Sequence, residues 1–263
     1  MFSFFVNLLK ERKIILNLAI NDCKARFASS GLGVIWSFLT PLMTILVFWF
    51  VFQVGFKNPP IEDVPFMVWY IPAYLSWNYF SETLVQAANS LMEYRYLVKK
   101  VNFEVAIIPV IKVISYALIH FGFLLFIVFV NLAYGRGVSL YYLQSFYYFF
   151  CMIVLLCALG WLLSAIAAFI PDMINIVSII IQIGFWATPI FWNPNDMGMT
   201  VQMILKFNPM FYVCQGYRES FIYEVGFWGH PLYTAYFWVF VLAILIFGIR
   251  TFIKLRPQFD DVL

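Results

Sequence analysis

Between Leu32 and Phe56 the chain carries no charged residue, and the first charge after this run is Lys57. At about 1.5 Å per residue such a run crosses a bilayer core of roughly 30 Å, which takes about 20 apolar residues. Six stretches meet the requirement: about 33–56, 67–88, 105–133, 142–170, 174–192 and 233–253. Between the fourth and fifth stands only "PDMI", where Pro171 removes a helix donor and Asp172 resists burial, so a tight turn is expected there. The expected fold is an all-α polytopic membrane protein, one domain over residues 1–263 with six transmembrane helices.

Composition supports this. The 263 residues are 64% hydrophobic and 11% charged, with a mean hydropathy of +0.88. Soluble domains average about 45–50% apolar and about 25% charged. A soluble fold could not hide so much apolar surface, because much of its exterior must face water. The formal charge of +3 is too small and too scattered to indicate a nucleic-acid partner. The four cysteines form no CxxC pair and there are two histidines, so neither a metal site nor a disulfide framework is read here. In "MFSFFVNLLKERK" the basic residues follow the apolar ones, the reverse of a cleaved signal peptide.

Basic residues set the expected orientation. Lys10, Arg12, Lys13, Lys24, Arg26, Arg95, Lys99, Lys100, Lys112, Arg250, Lys254 and Arg256 fall on one side of the six spans, against Lys57, Arg136, Lys206 and Arg218 on the other. Both termini are therefore expected in the cytoplasm.

Before the first span, Lys10, Lys13, Asn17, Asn21 and Lys24 share one arc of a helical wheel, and Leu16, Ala19, Ile20, Cys23 and Phe27 share another. Arg12 and Arg26 lie near the apolar arc, where long stems can snorkel. This predicts an amphipathic interfacial helix over about 8–29, followed by a turn at "SSG" in which Gly31 permits the bend. The alternative is an ordinary basic flank on the cytoplasmic side.

Two connections stand out. In the loop after the second span, Leu91, Tyr94, Leu97 and Val98 recur at helical spacing among Glu93, Arg95, Lys99 and Lys100, which predicts a short helix over about 91–101. Such a helix can dock in a partner's groove, or be merely a solvated basic loop. The connection 193–232 is long for an unstructured loop and is apolar, so two short helices, within about 198–224, are expected to lie in the interface or re-enter the membrane. Arg218 and Glu219 are its most notable charges, and a surface pair of small energetic worth is the plainer alternative.

Aromatic residues make up 21% of the chain, many of them at span ends as an interfacial belt. Trp36, Phe48, Trp49, Phe52, Phe185 and Trp186 lie deeper, where ring faces can line a conduit for sugars or simply pack against helices and lipid. Ionisable groups inside the spans are few, mainly Glu82, Lys112 and His120, which argues against a proton- or ion-coupled pump. There is no GxxxxGK[ST], GxSxG or HExxH, so the chain is not expected to be an enzyme, and any ATP-driven work must come from another chain.

Against this background, "NDCKARFASSGLGVIWSFLTPLM" resembles the signature of the ABC-2 permeases that export polysaccharide: a basic interfacial helix, a small-residue turn, then Gly33, Trp36 and Pro41 at matching places. "YLVKKVNFEVAIIPV" is similar to that family's segment between spans two and three, and "NPMFYVCQGYRESFI" to its external Asn-Pro and Tyr-Arg segment. The resemblance covers nearly the whole chain, with one departure at "PDM", where the family often has Arg-Asp. It implies a homodimer with two separate ATPase subunits that bind ATP and Mg, no cofactor on this chain, and a lipid-linked polysaccharide (O antigen, capsule or teichoic acid type) moved out across the cytoplasmic (inner) membrane. It further implies that Glu93, Tyr94, Arg95, Leu97, Lys99 and Lys100 couple to the ATPase. Lys13, Lys24, Arg26, Gly31 and Gly33 would belong to a gate helix, and Arg218 would join the six deeper aromatics along the channel. The rivals are an ABC-2 exporter of a drug or lipid, an ion-coupled secondary carrier, and a non-transporting scaffold.

Overall fold

The computed structural model describes residues 2–28, 31–57, 59–100 and 103–263, and the described residues are almost entirely helical. Two short helices open the chain, α1 (Phe2–Lys10) and α2 (Arg12–Arg26). The expected surface helix is thus two pieces, broken after Lys10. The first charge-free helix, α3 (Ile35–Trp49), follows a turn in which Gly33 has φ +54°, left-handed backbone that glycine adopts without strain. Positive φ falls on Gly33 and not on Gly31, while Ser29 and Ser30 of the expected hinge lie outside the described residues. Pro41 sits inside α3, and the helix widens into a π turn over Phe50–Gly55.

α4 (Phe66–Glu93) is entered through a tight turn in which Ile61 and Val64 pair and Glu62 and Asp63 take φ 50° and 62°. It runs without a break five residues past the expected span, and only a single turn, α5 (Arg95–Val98), follows. The single helix expected over 91–101 is therefore split: residues 91–93 are the end of α4, 95–98 the separate turn α5, and Val101 lies outside the described residues. Next come α6 (Ile107–Ala133), α7 (Gln144–Ala167) and α8 (Met173–Ala187). The join of α7 and α8 is the expected tight turn, closed by backbone hydrogen bonds from Met173 to Ile170 and from Ile174 to Pro171.

The long connection forms α9 (Met199–Leu205) and α10 (Pro209–Arg218), the latter extended by a π turn over Glu219–Tyr223. The Asn208 side chain accepts from the Met210 amide and Pro209 takes the first helical position, so "NP" is the start signal of α10. α11 (Pro231–Leu255) and α12 (Phe259–Val262) end the chain.

Four helical stretches are both long and apolar enough to cross a membrane: 35–55, 107–133, 140–167 and 231–262. α4 has the length, yet it carries Ser76, Asn78, Ser81, Glu82, Thr83 and Gln86 along its middle. α8 has 15 residues, about 22 Å, which is short of a full crossing.

α7 is the centre of the bundle, packed on α4 and α11, while α4 also meets α6, α8 and α10. Small residues permit the closest approaches: a Cβ on Gly248 would stand 2.6 Å from the Ala158 carbonyl oxygen, and Gly160 faces Ala87 and Pro109. One apolar cluster joins Phe4 of α1 to Leu97, Val98, Trp161, Phe252 and Phe259. Both termini and the α4–α6 connection therefore lie at one end of the bundle, here the proximal end. Residues 61–66, 188–198 and 209–230 gather at the other, distal end, with Asn195 donating to Glu62 (2.8 Å) and Arg218 reaching Trp69.

Candidate functional site

At the proximal end, α2 docks along α6 through Ile15, Ala19, Asp22 and Arg26. Leu16 and Ile20, expected on its apolar face, stay exposed, because the docked stripe is rotated and includes a carboxylate. Asp22 is buried and saturated: its Oδ1 accepts from Tyr94 Oη and Lys112 Nζ, both at 2.6 Å. Its Oδ2 accepts from Ser115 Oγ (2.7 Å) and Arg26 Nη2 (3.1 Å). Burial pushes the Asp22 carboxyl up, but the hydrogen bonds from Lys112, Tyr94 and Ser115 and the charge of Lys112 outweigh it and hold it below the usual carboxylate range. Lys112 Nζ also donates to Glu93 Oε1 (2.7 Å), so one ammonium ties α2 to the last residue of α4.

Arg26 is immobilised too, its guanidinium carbon 3.6 Å from the centre of the Tyr116 ring and its Nη2 3.0 Å from Ser115 Oγ. Lys13 and Lys24 point outward and are free of this network. The expected coupling residues divide in the same way. Glu93 and Tyr94 join the network, Leu97 packs inward in the proximal apolar cluster, and Arg95, Lys99 and Lys100 stand exposed beside Tyr96. A partner at this end meets three cations and an aromatic ring, without the Leu97 knob that helical spacing suggested.

The deeper aromatics also divide. Phe48 stacks on Phe52 (5.7 Å) and on Tyr70 (5.3 Å), and it meets Phe185 edge-on (6.1 Å). Phe66, Tyr70 and Tyr74 continue the stack on α4, and Trp186 joins through Phe185. Trp36, Trp49 and Trp186 are 46%, 39% and 59% exposed and present their rings to the outside of the single chain. Of the four helical stretches long and apolar enough to cross a membrane, the one that begins with α3 is the least enclosed, with 11% of its most apolar stretch buried against 50% for α6.

At the distal end Arg218 is fully enclosed. Its guanidinium carbon lies 3.4 Å from the centre of the Trp69 ring, and its nitrogens donate to the carbonyls of Trp69 (3.2 Å), Pro189 (2.8 Å) and Ile190 (2.7 Å). It does not pair with Glu219. That carboxylate accepts from Tyr148 Oη (3.2 Å) and lies 3.5 Å from His230 Nε2, and burial pushes it up to about 7 against the lowering effect of Tyr148. Glu219 lines a distal pocket of ≈ 280 Å³.

Asp22 was the residue that sequence patterns missed. Two signals pointed to it: the i, i+4 pair with Arg26, and a lysine at 112 in an apolar run with no local counter-ion.

The profile of the ABC-2 type transporter family matches residues 15–222. The O-antigen export system permease protein RfbA of Myxococcus xanthus is 26% identical over 216 residues, covering 81% of this chain and 82% of its own. Two permeases of the same name from Klebsiella pneumoniae are 22% and 23% identical over 251 and 257 residues, each comparison covering 95% of both chains.

Proposed function

Because the chain belongs to the ABC-2 type transporter family, we propose that it is the permease subunit of an exporter that moves lipid-linked polysaccharide outward across the cytoplasmic membrane. One observation carries the reading: the likeness, nearly end to end, to permeases named for O-antigen export. The glycan is of the O-antigen, capsule or teichoic-acid type. Six crossings with both termini in the cytoplasm accord with the twelve basic residues of the proximal set, against four in the distal set.

Two copies form the permease, and two separate ATPase subunits bind ATP and Mg. The sparse enclosure of α3 supports a second copy against it, with Trp36, Trp49 and Trp186 of each copy turned to the seam. Phe48, Phe52 and Phe185 back that surface. Aromatic faces replace sugar hydration without gripping one sugar through charge, so a chain of sugars can slide. Arg218, enclosed as it is, serves by holding the distal end in shape.

The partner ATPase bears on Arg95, Tyr96, Lys99 and Lys100. Its motion passes through Glu93 and Tyr94 to Lys112 and Asp22, hence to α2, the gate helix, and across Gly33 to α3. Deleting the gene should strip the surface polysaccharide and leave lipid-linked glycan inside. Restoration should require a hydrolysis-competent ATPase, and Trp36→Ala or Trp186→Ala should slow export at unchanged protein level. Normal surface glycan in the deletion strain, with loss instead of drug resistance or of a lipid, would sink the reading in favour of another cargo.

A further inference from the structure

The distal pocket is assembled from six parts of the chain: the turn at Glu62, the start of α4, the "NPN" segment, α9, α10 with its π turn, and the start of α11. Its volume of ≈ 280 Å³ sits at the lower limit of small-molecule sites, about 300 Å³, and suits one ring with its substituents. The wall chemistry is mixed. Gln202 and Gln215 contribute amides, each both donor and acceptor, and Asn195 adds another that is held in place by Glu62. Phe211 and Tyr223 add ring faces. Two carboxylates, Glu62 and Glu219, against the single ammonium of Lys206 leave at most one net negative charge, which disfavours an acidic sugar.

Groups that donate and accept, set among aromatic faces, match a molecule whose polar atoms are hydroxyls and whose ring faces are C–H. We propose that the distal pocket is a saccharide-binding subsite that holds one pyranose residue of a neutral glycan as the chain leaves the permease. Its service in export rests on the transport reading above, whereas the binding of sugar does not. The site is separate from the aromatic surface of α3 and α8, and it recognises the sugar through its hydroxyl groups. It holds a sugar while the next stretch of chain moves up, so that motion back toward the proximal end is opposed.

The permease–ATPase complex, purified in detergent, would be titrated with oligosaccharides released by mild acid from the source cell's own surface polysaccharide. Binding is read by saturation-transfer NMR and by quenching of tryptophan fluorescence. Wild type should bind in the millimolar range, with glucitol, a linear polyol, at least about tenfold weaker. Gln215→Leu, which keeps the volume and removes the amide, should weaken binding about tenfold, the effect of about one lost hydrogen-bonding group, with an unchanged melting temperature. Leu140→Gln, at an exposed distal position outside the pocket, should bind within about threefold of wild type and guards against a folding artefact. Equal binding by wild type and Gln215→Leu overturns the proposal, as does no binding by wild type. If export in the deletion strain proves normal while the pocket still binds sugar, the subsite stands and the export reading falls.

Discussion

Replacing Lys112 with methionine separates a working linkage from a decorative one. Lys112 and Asp22 are both enclosed, with side chains 4% and 5% exposed, and their polar atoms lie 2.6 Å apart. Methionine keeps most of the stem packing and removes the charge, leaving the Asp22 carboxylate buried with Tyr94, Ser115 and Arg26 alone. Removing one member of a buried pair costs about 3–5 kcal/mol, and the three remaining donors place this case at about 3. A chain of this size loses about 2–4 °C of melting temperature per kcal/mol, so the variant should melt on the order of 10 °C lower at pH 7. The assay is detergent-solubilised thermal unfolding read by size-exclusion fluorescence.

The pH dependence has a definite sign. The folded Asp22 pKa lies below its ordinary 3.8, so its contribution is complete above that value and is lost only as pH falls through the folded one. In the variant burial acts on Asp22 without the lowering effect of Lys112, so its carboxyl moves up, and the gap between parent and variant should narrow as pH falls from 7 toward 5. Adding Asp22→Asn to Lys112→Met should recover part of the loss, because the orphaned carboxylate is gone. A shift under about 2 °C for Lys112→Met, or strict additivity in the double variant, refutes the reasoning.

Three further outcomes follow from the distal end. Gly216→Ala places a Cβ inside the Tyr148 ring, which is itself buried and cannot swing away; about 1–3 kcal/mol of destabilisation is expected, seen as a lower melting temperature. Arg218→Met strips the donors from the Pro189 and Ile190 carbonyls and should cost about 3 kcal/mol, measured as reduced protein in the membrane at unchanged transcript. Glu219, raised to about 7 from 4.5, favours its neutral form in the fold, so its stabilising effect is complete below pH 4.5 and is lost as pH rises through about 7. Tyr148 and His230 face it, with Glu62, Tyr223 and Lys206 in the same pocket. Between pH 6 and pH 8 the loss should be about 1.4 kcal/mol, and Glu219→Gln should flatten that slope.

Much of the architecture could be read from hydropathy, because a helix in hydrocarbon must be long and apolar whatever it packs against. The turn at Pro171, the start of α10 at Asn208-Pro209, and the gathering of the basic residues at the proximal end follow from local chemistry. What local chemistry could not supply was pairing at a distance. A wheel drawn on α2 weights Leu16 and Ile20, yet the docked face is chosen by Asp22, whose partner lies 90 residues away. The 91–101 segment has helical spacing, but Leu97 and Val98 find an apolar pocket made by α1, α7 and α11, so the chain turns inward. Arg218 next to Glu219 reads as a pair of neighbours, and each finds a different partner once α4 and α7 are in place.

The burial of Arg218 also fixes an order of events in biogenesis. Its three carbonyl acceptors lie 28, 29 and 149 residues earlier in the chain. As the chain emerges from the ribosome, the bend at Pro189–Ile190 and the face of Trp69 must wait with unmet acceptors until α10 is delivered to them. The bend and the Trp69 face are therefore closed late and from the C-terminal side, by a residue that acts as the keystone of an arch begun much earlier.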